Sequence, residues 1–130
     1  MAAAARVIID AVGPYMVYGE PVVRACVENK AHYVDLTGEP AYFKMLCDKY
    51  DDAAKKNGVA LIPCCGFDSI PPDIATFVAL SKLTEEDKTQ GVVTVDVYGK
   101  MQNARVSSGT IRSLIEIMCG NAGYVEITLN

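Results

Sequence analysis

His32-Tyr33-Val34-Asp35-Leu36-Thr37-Gly38-Glu39-Pro40 is the stretch that decides the fold. Its first five residues read as a strand. Thr37-Gly38-Glu39-Pro40 then breaks the strand with a glycine turn and opens a helix, since proline in a first helical turn gives up no needed hydrogen bond. That helix runs to about Lys56, with Phe43, Leu46, Cys47, Tyr50 and Ala54 at helical spacing. Lys55, Lys56 and Asn57-Gly58 are a usual helix stop.

The same unit lies on either side. Upstream, Arg6-Val7-Ile8-Ile9-Asp10-Ala11-Val12 is a short apolar run ended by Gly13-Pro14, which reads as a strand buried on both faces. Gly19-Glu20-Pro21 is expected to open a helix reaching about Asn29, with Val22, Cys26 and Val27 on its packed stripe. Downstream, Val59-Ala60-Leu61-Ile62-Pro63 is a third strand, and Cys65-Gly66-Phe67-Asp68-Ser69 is its exit loop. A third helix follows, about Pro72 to Leu83, which Asp68 or Ser69 can cap. Gly-Glu-Pro recurs at residues 19–21 and 38–40. Short connections and right-handed crossovers place the three strands parallel in one sheet.

Beyond Thr84-Glu85-Glu86-Asp87-Lys88 the pattern changes, which puts a domain change near residues 84–91. Val93, Val95 and Val97 alternate with Thr94, Asp96 and Tyr98, as in a half-exposed strand. Ser107-Ser108-Gly109-Thr110 opens a helix with Ile111, Leu114, Ile115 and Met118 on one side, and Gly120 ends it. Tyr124 to Leu129 alternates again, suggesting a longer parent protein.

Composition narrows the function. Twelve Lys and Arg against sixteen Asp and Glu give a net charge of −4, which argues against a nucleic-acid surface. No run of about 18 apolar residues exists, so no transmembrane segment is expected. The 130 residues are 51% hydrophobic and 22% charged, as in a globular chain. Cys26, Cys47, Cys64, Cys65 and Cys119 have no regular spacing, and His32 is the single histidine. These cysteines read as reduced, mostly buried thiols of an intracellular protein, with no metal site. Cys64-Cys65 could be redox-active; the plainer reading is that the pair ends a buried strand.

In a parallel α/β sheet, ligands bind beyond the carboxyl ends of the strands. Three such ends are visible: Val12-Gly13-Pro14-Tyr15, Leu36-Thr37-Gly38-Glu39 and Cys65-Gly66-Phe67-Asp68. Each carries a glycine where a flat ligand can approach the backbone, and each precedes a helix start that favours anions. No G-x-G-x-x-G phosphate loop is present. Asp35, Glu39, Asp68 and Asp73 are the acid–base candidates: Asp35 can bond a ribose hydroxyl or cap its turn, and Asp68 can orient a substrate or cap its helix. Tyr15 and Tyr18 flank the first turn, either over a cofactor face or in plain packing. His32, at the far end of its strand, is expected to be structural.

The three turns, with Tyr18-Gly19-Glu20-Pro21-Val22-Val23, Ala25-Cys26, Tyr33 to Pro40 and Cys65 to Asp73, resemble the saccharopine dehydrogenase-like oxidoreductases. Trans-acting enoyl reductases of lipid synthesis are similar to that group. The resemblance implies α/β architecture: the C-terminal half of a Rossmann-like parallel sheet at 1–83, followed at 84–130 by the start of a second α+β domain for substrate or dimerisation. It implies a fragment of an NAD(P)-dependent enzyme that transfers hydride to a small-molecule or lipid-like substrate. The family's turns at Val12, Gly13, Pro14 and Tyr15, at Thr37, Gly38 and Glu39, and at Gly66, Phe67 and Asp68 then become cofactor or substrate neighbours, with no catalytic residue assigned. NAD(P) is expected for the full-length parent, and no cofactor for this chain alone. A homo-oligomer or partner chain, and an intracellular place at a membrane or lipid droplet, follow from the same likeness. The alternative is a non-catalytic structural or interaction module that lost cofactor binding, favoured by the missing glycine loop.

Overall fold

The computed structural model describes residues 1–83, 91, 94–98 and 107–119. Strands β1 (Val7–Asp10), β2 (His32–Asp35) and β3 (Leu61–Ile62) form one sheet in the order β1-β2-β3. Both pairings are parallel, with Ile8 opposite Tyr33, Asp10 opposite Asp35, and Tyr33 opposite Leu61. Helices α1 (Tyr15–Asn29) and α2 (Pro40–Asn57) make the two crossovers. α3 (Ile70–Ser81) and α4 (Ser108–Met118) follow.

Registered partners in a parallel sheet share a face, and alternate residues take opposite faces. One face therefore carries Ile8, Asp10, Tyr33, Asp35 and Leu61; the other carries Val7, Ile9, His32, Val34 and Ile62. The core lies on the first face, against α1 and α2. Val23, Cys26 and Val27 of α1 and Tyr42, Leu46, Tyr50 and Ala54 of α2 are buried there. Spacing of four along α2 stacks its four residues in one row. Tyr42 belongs to this row, whereas the expected Phe43 and Cys47 sit on the outer flank.

The opposite face is bare. Ile9 is 76% exposed, and Val7 and Ile62 are about half exposed, so the expected strand buried on both faces is buried on one. α3 buries no residue, and Ile74, Phe77 and Val78 stand in solvent. It begins at Ile70, earlier than expected, and neither Asp68 nor Ser69 caps it through a side chain.

Two further expectations are corrected. α1 begins at Tyr15, so Gly19-Glu20-Pro21 lies inside the helix. The anchor of its first turn comes from Glu39, far along the chain, and no local pattern signals that. Thr94–Tyr98 forms no strand, and Val95, Val97 and Tyr98 are exposed. The expected strand at 124–129 and residues 84–90 of the domain change lie outside the described residues. α4 starts where expected: Ser107 caps it, its hydroxyl accepting the Thr110 N–H at 3.2 Å.

Helix ends follow local chemistry. α2 stops at Gly58, whose φ of 66° is left-handed, and Val59 N–H bonds back to the Ala54 carbonyl. α1 stops the same way at Lys30, φ 58°, without glycine. Among the described residues no helix is long and apolar enough to cross a membrane.

Candidate functional site

Parallel pairing puts the carboxyl ends of all three strands along one edge. The first turn, 11–14, is fastened to the second by Glu39. Its two carboxylate oxygens accept the Tyr15 and Met16 N–H groups, each at 2.9 Å. Those are orphan donors of α1, so Glu39 acts as its N-terminal cap from another turn. The Glu39 N–H in turn donates to the Thr37 hydroxyl at 3.1 Å. The second turn is fastened to the third by Asp35. One of its oxygens accepts N–H groups from Thr37 and Cys64, both at 2.9 Å, and its backbone carbonyl accepts the Cys65 N–H at 2.8 Å.

A buried tyrosine cluster closes the network from below. The Tyr33 hydroxyl donates to the other Asp35 oxygen at 2.8 Å and meets the Tyr42 hydroxyl at 3.2 Å. The Tyr15 ring lies 5.8 Å from that of Tyr42, and its hydroxyl donates to the Asp10 carbonyl. Burial, helped by the Asp35, Asp10 and Glu39 carboxylates, pushes the Tyr15 phenol up to about 12. Burial also raises Tyr33 and Tyr42. All three are neutral hydrogen-bond donors at ordinary pH and unsuited to giving up a proton.

These contacts sort the candidate residues. Tyr15, Thr37 and Glu39 are buried, and their polar groups hold the turns together. Asp35 caps its turn, and both its oxygens are engaged within the fold. Val12, Gly38, Phe67 and Asp68 face solvent along the rim, with Phe67 75% exposed. Gly13 is half-buried; Pro14 and Gly66 are buried. Asp68 lies over both later turns: a Cβ on Gly66 would come 2.6 Å from one of its oxygens, and one on Gly38 would come 3.1 Å from the other. The same Cβ on Gly66 would come 3.3 Å from the Leu36 carbonyl, so glycine lets the third turn pass close to the second.

Electrostatics corrects one expectation about these turns. The start of α1 was expected to welcome an anion, but the protein's own Glu39 fills that place. With Asp10, Asp35 and Asp68 nearby, the rim is acidic. It suits hydroxyl groups or a cationic ring better than a phosphate.

The remaining candidates fall elsewhere. His32 lies at the amino end of β2, where its Nδ1 accepts the Ala60 N–H at 3.0 Å. Of the cysteines only Cys26 is buried, which corrects the expected burial of most of them. Burial raises the Cys26 thiol, and burial with Asp35 raises Cys64, so neither is an activated thiolate. Among the described residues no three metal-ligating side chains come together.

A parallel α/β half-sheet with its turns gathered on one edge is consistent with part of a Rossmann-like domain. Comparison with known proteins narrows that class to a family likeness. The chain is 43% identical over 83 residues to a human saccharopine dehydrogenase-like oxidoreductase, covering 64% of the chain and 19% of the relative. It is 36% identical over 118 residues to a putative trans-acting enoyl reductase of Mycobacterium tuberculosis, 91% of the chain and 28% of the relative. It is 53% identical over 74 residues to a lipid droplet localized protein of Caenorhabditis elegans, 57% of the chain and 17% of the relative. The resemblance read from the three motifs therefore holds, and the chain corresponds to well under a third of each of these relatives. No family model matches the chain, and no solved structure matches it.

Proposed function

We propose that this chain supplies the nicotinamide-side rim of an NAD(P)-dependent oxidoreductase, with the pyrophosphate held by protein outside it. The observation that carries this reading is the fastening of all three turns into one edge by Glu39 and Asp35. Such cross-bracing fixes a surface to tolerances that hydride transfer needs. The exposed Asp68 and Phe67, with backbone at Gly38, are the groups free to meet a ribose and a ring. A negative rim favours the positively charged oxidised nicotinamide, and the cofactor itself carries the hydride. The relatives' names, an oxidoreductase and an enoyl reductase, agree with that chemistry. A lipid-like substrate and residence near lipid droplets are parts of the same proposal, supported by the relative named for that location.

The test is titration of NADPH and NADH against the protein in its longest natural form, followed by nicotinamide fluorescence. Saturable binding that Asp68→Ala and Phe67→Ala each weaken supports the reading. No binding at millimolar cofactor removes it. A second reading, a module that has lost the cofactor and joins a partner chain or a second copy, is favoured by Glu39 filling the anion place and by the bare sheet face. It predicts no cofactor binding together with a stable complex by native mass measurement.

A further inference from the structure

Beside the first turn, α4 passes the start of α1 and leaves a cavity of about 300 Å³ lined by Pro14, Val17, Tyr18, Arg112 and Ile115. Four of its five lining residues carry apolar or aromatic side chains, and the Arg112 guanidinium stands among them. Arg112 forms no ion pair among the described residues. The volume is at the lower end of small-molecule sites, which usually run upward from about 300 Å³. The groove does not end at its lining: Ile111, Leu114 and Met118 share the face of α4 that carries Ile115, and all three are exposed.

We propose that this groove binds an amphipathic acid, its carboxylate paired with Arg112 and its chain laid between Val17, Tyr18 and the apolar stripe of α4. This deepens the proposed function and rests on it for the identity of the acid as a substrate or product. Three observations select this ligand class. A planar guanidinium matches a carboxylate bidentately, and it stays charged at every ordinary pH. A nucleotide pyrophosphate needs several converging donors, but the nearby N–H groups of Tyr15 and Met16 are already taken by Glu39. A neutral lipid would leave the guanidinium without a counter-charge to pair with. The position is also apt, because Pro14 belongs both to the groove and to the rim.

The experiment uses the protein in its longest natural form and titrates dodecanoate, below its micelle concentration, against dodecanol and inorganic phosphate. Dodecanoate is expected to bind saturably and more tightly than dodecanol, and phosphate alone to bind poorly. Arg112→Gln should weaken dodecanoate about 10-fold or more and abolish the preference over dodecanol. Arg112→Lys, which keeps the charge but loses the fork, should fall between. Circular dichroism of each variant checks that it is folded, and Val17→Asp, exposed in the groove wall, offers an independent block. Equal binding of dodecanoate and dodecanol, or dodecanoate binding unchanged in Arg112→Gln, overturns the proposal. NADPH titration of the same variants separates the two readings. Retained NADPH binding with no acid binding sinks only the groove. Acid binding without NADPH binding sinks the cofactor rim and leaves the groove as a ligand site.

Discussion

The two faces of the sheet are made from alternate residues of the same three strands, yet they end in opposite environments. Ile8, Asp10, Tyr33 and Asp35 lie under α1 and α2, where no buried polar side-chain atom lacks a partner among the described residues. Val7, Ile9 and Ile62 face solvent on the other side. The covered face holds more polar atoms than the bare one. Burial therefore follows the helices here, not the hydrophobicity of the strand residues. What makes the covered face tolerable is complete hydrogen bonding of its carboxylates and phenols. The bare face needs no such arrangement, and its apolar residues gain little in this state.

The largest effects should come from the covered face, first of all at Glu39. Glu39→Ala removes both acceptors at the start of α1 and leaves the buried Tyr15 N–H without a partner. The cost is about 2–4 kcal/mol, a lost cap together with an unsatisfied buried donor. Glu39→Gln, which keeps one acceptor oxygen, should lose less. Urea unfolding midpoints measure both. Equal stability of Glu39→Ala and the parent would show that the turns are not braced through this carboxylate.

A smaller loss is expected where the helices cross above that face. A Cβ on Gly19 would come 2.7 Å from Cζ of the buried Tyr42 ring and nearer still to its hydroxyl. Overpacking costs about 1–3 kcal/mol, offset in part by the roughly 0.5–1 kcal/mol that alanine gains over glycine in a helix. Gly19→Ala should thus destabilise by about 1–2 kcal/mol. Tyr42→Phe should relieve part of the clash, so the double variant should lose less than the sum of the two singles.

The two Gly-Glu-Pro tripeptides show how far the residues alone carry the fold. At 38–40 the local reading is right: Glu39 is the N-cap residue and Pro40 sits in the first turn of α2. At 19–21 the same letters lie inside α1, where Gly19 is a contact with α2 and Glu20 reaches Lys49 and Tyr50. Strand, turn and helix order and the parallel sheet are legible because each unit carries its own punctuation. The start of α1 is not, because its cap comes from 23 and 24 residues away. The row Tyr42, Leu46, Tyr50, Ala54 was legible in its spacing of four, but Phe43 and Cys47 make a competing row. Of the candidate site, the three glycine turns could be read; the filling of the first anion place by Glu39 could not.

The outer edge of the covered face should respond to pH. Hydrogen bonds from Tyr50 and Lys49 hold the Glu20 carboxyl below its ordinary value of 4.5. A depressed folded value stabilises the fold above the unfolded value, and that gain is lost as pH falls through the folded one. Lys49 is exposed, so solvent screening keeps the contribution small. Glu20→Gln should therefore be less stable than the parent at pH 7 and indistinguishable from it once both are measured well below the folded-state value of Glu20. A difference that persists undiminished in acid would assign the effect to packing, not charge. Added salt should shrink the difference at pH 7.

The smallest effect should come from the bare face, and it sharpens the comparison most. Ile8 and Ile9 are neighbours in β1 with identical side chains, one 8% and the other 76% exposed. Ile8→Ala should cost about 2–4 kcal/mol in this chain, as for a buried aliphatic residue. Ile9→Ala should fall within about 0.5 kcal/mol of the parent, as for a surface position. The contrast belongs to this chain, which matches only part of its longer relatives. In the longest natural form, further protein covering the second face would bring the Ile9→Ala cost up toward that of Ile8→Ala. A cost at Ile9 that stays near zero there would mean that the bare face remains bare, and that the sheet works with helices on one side alone.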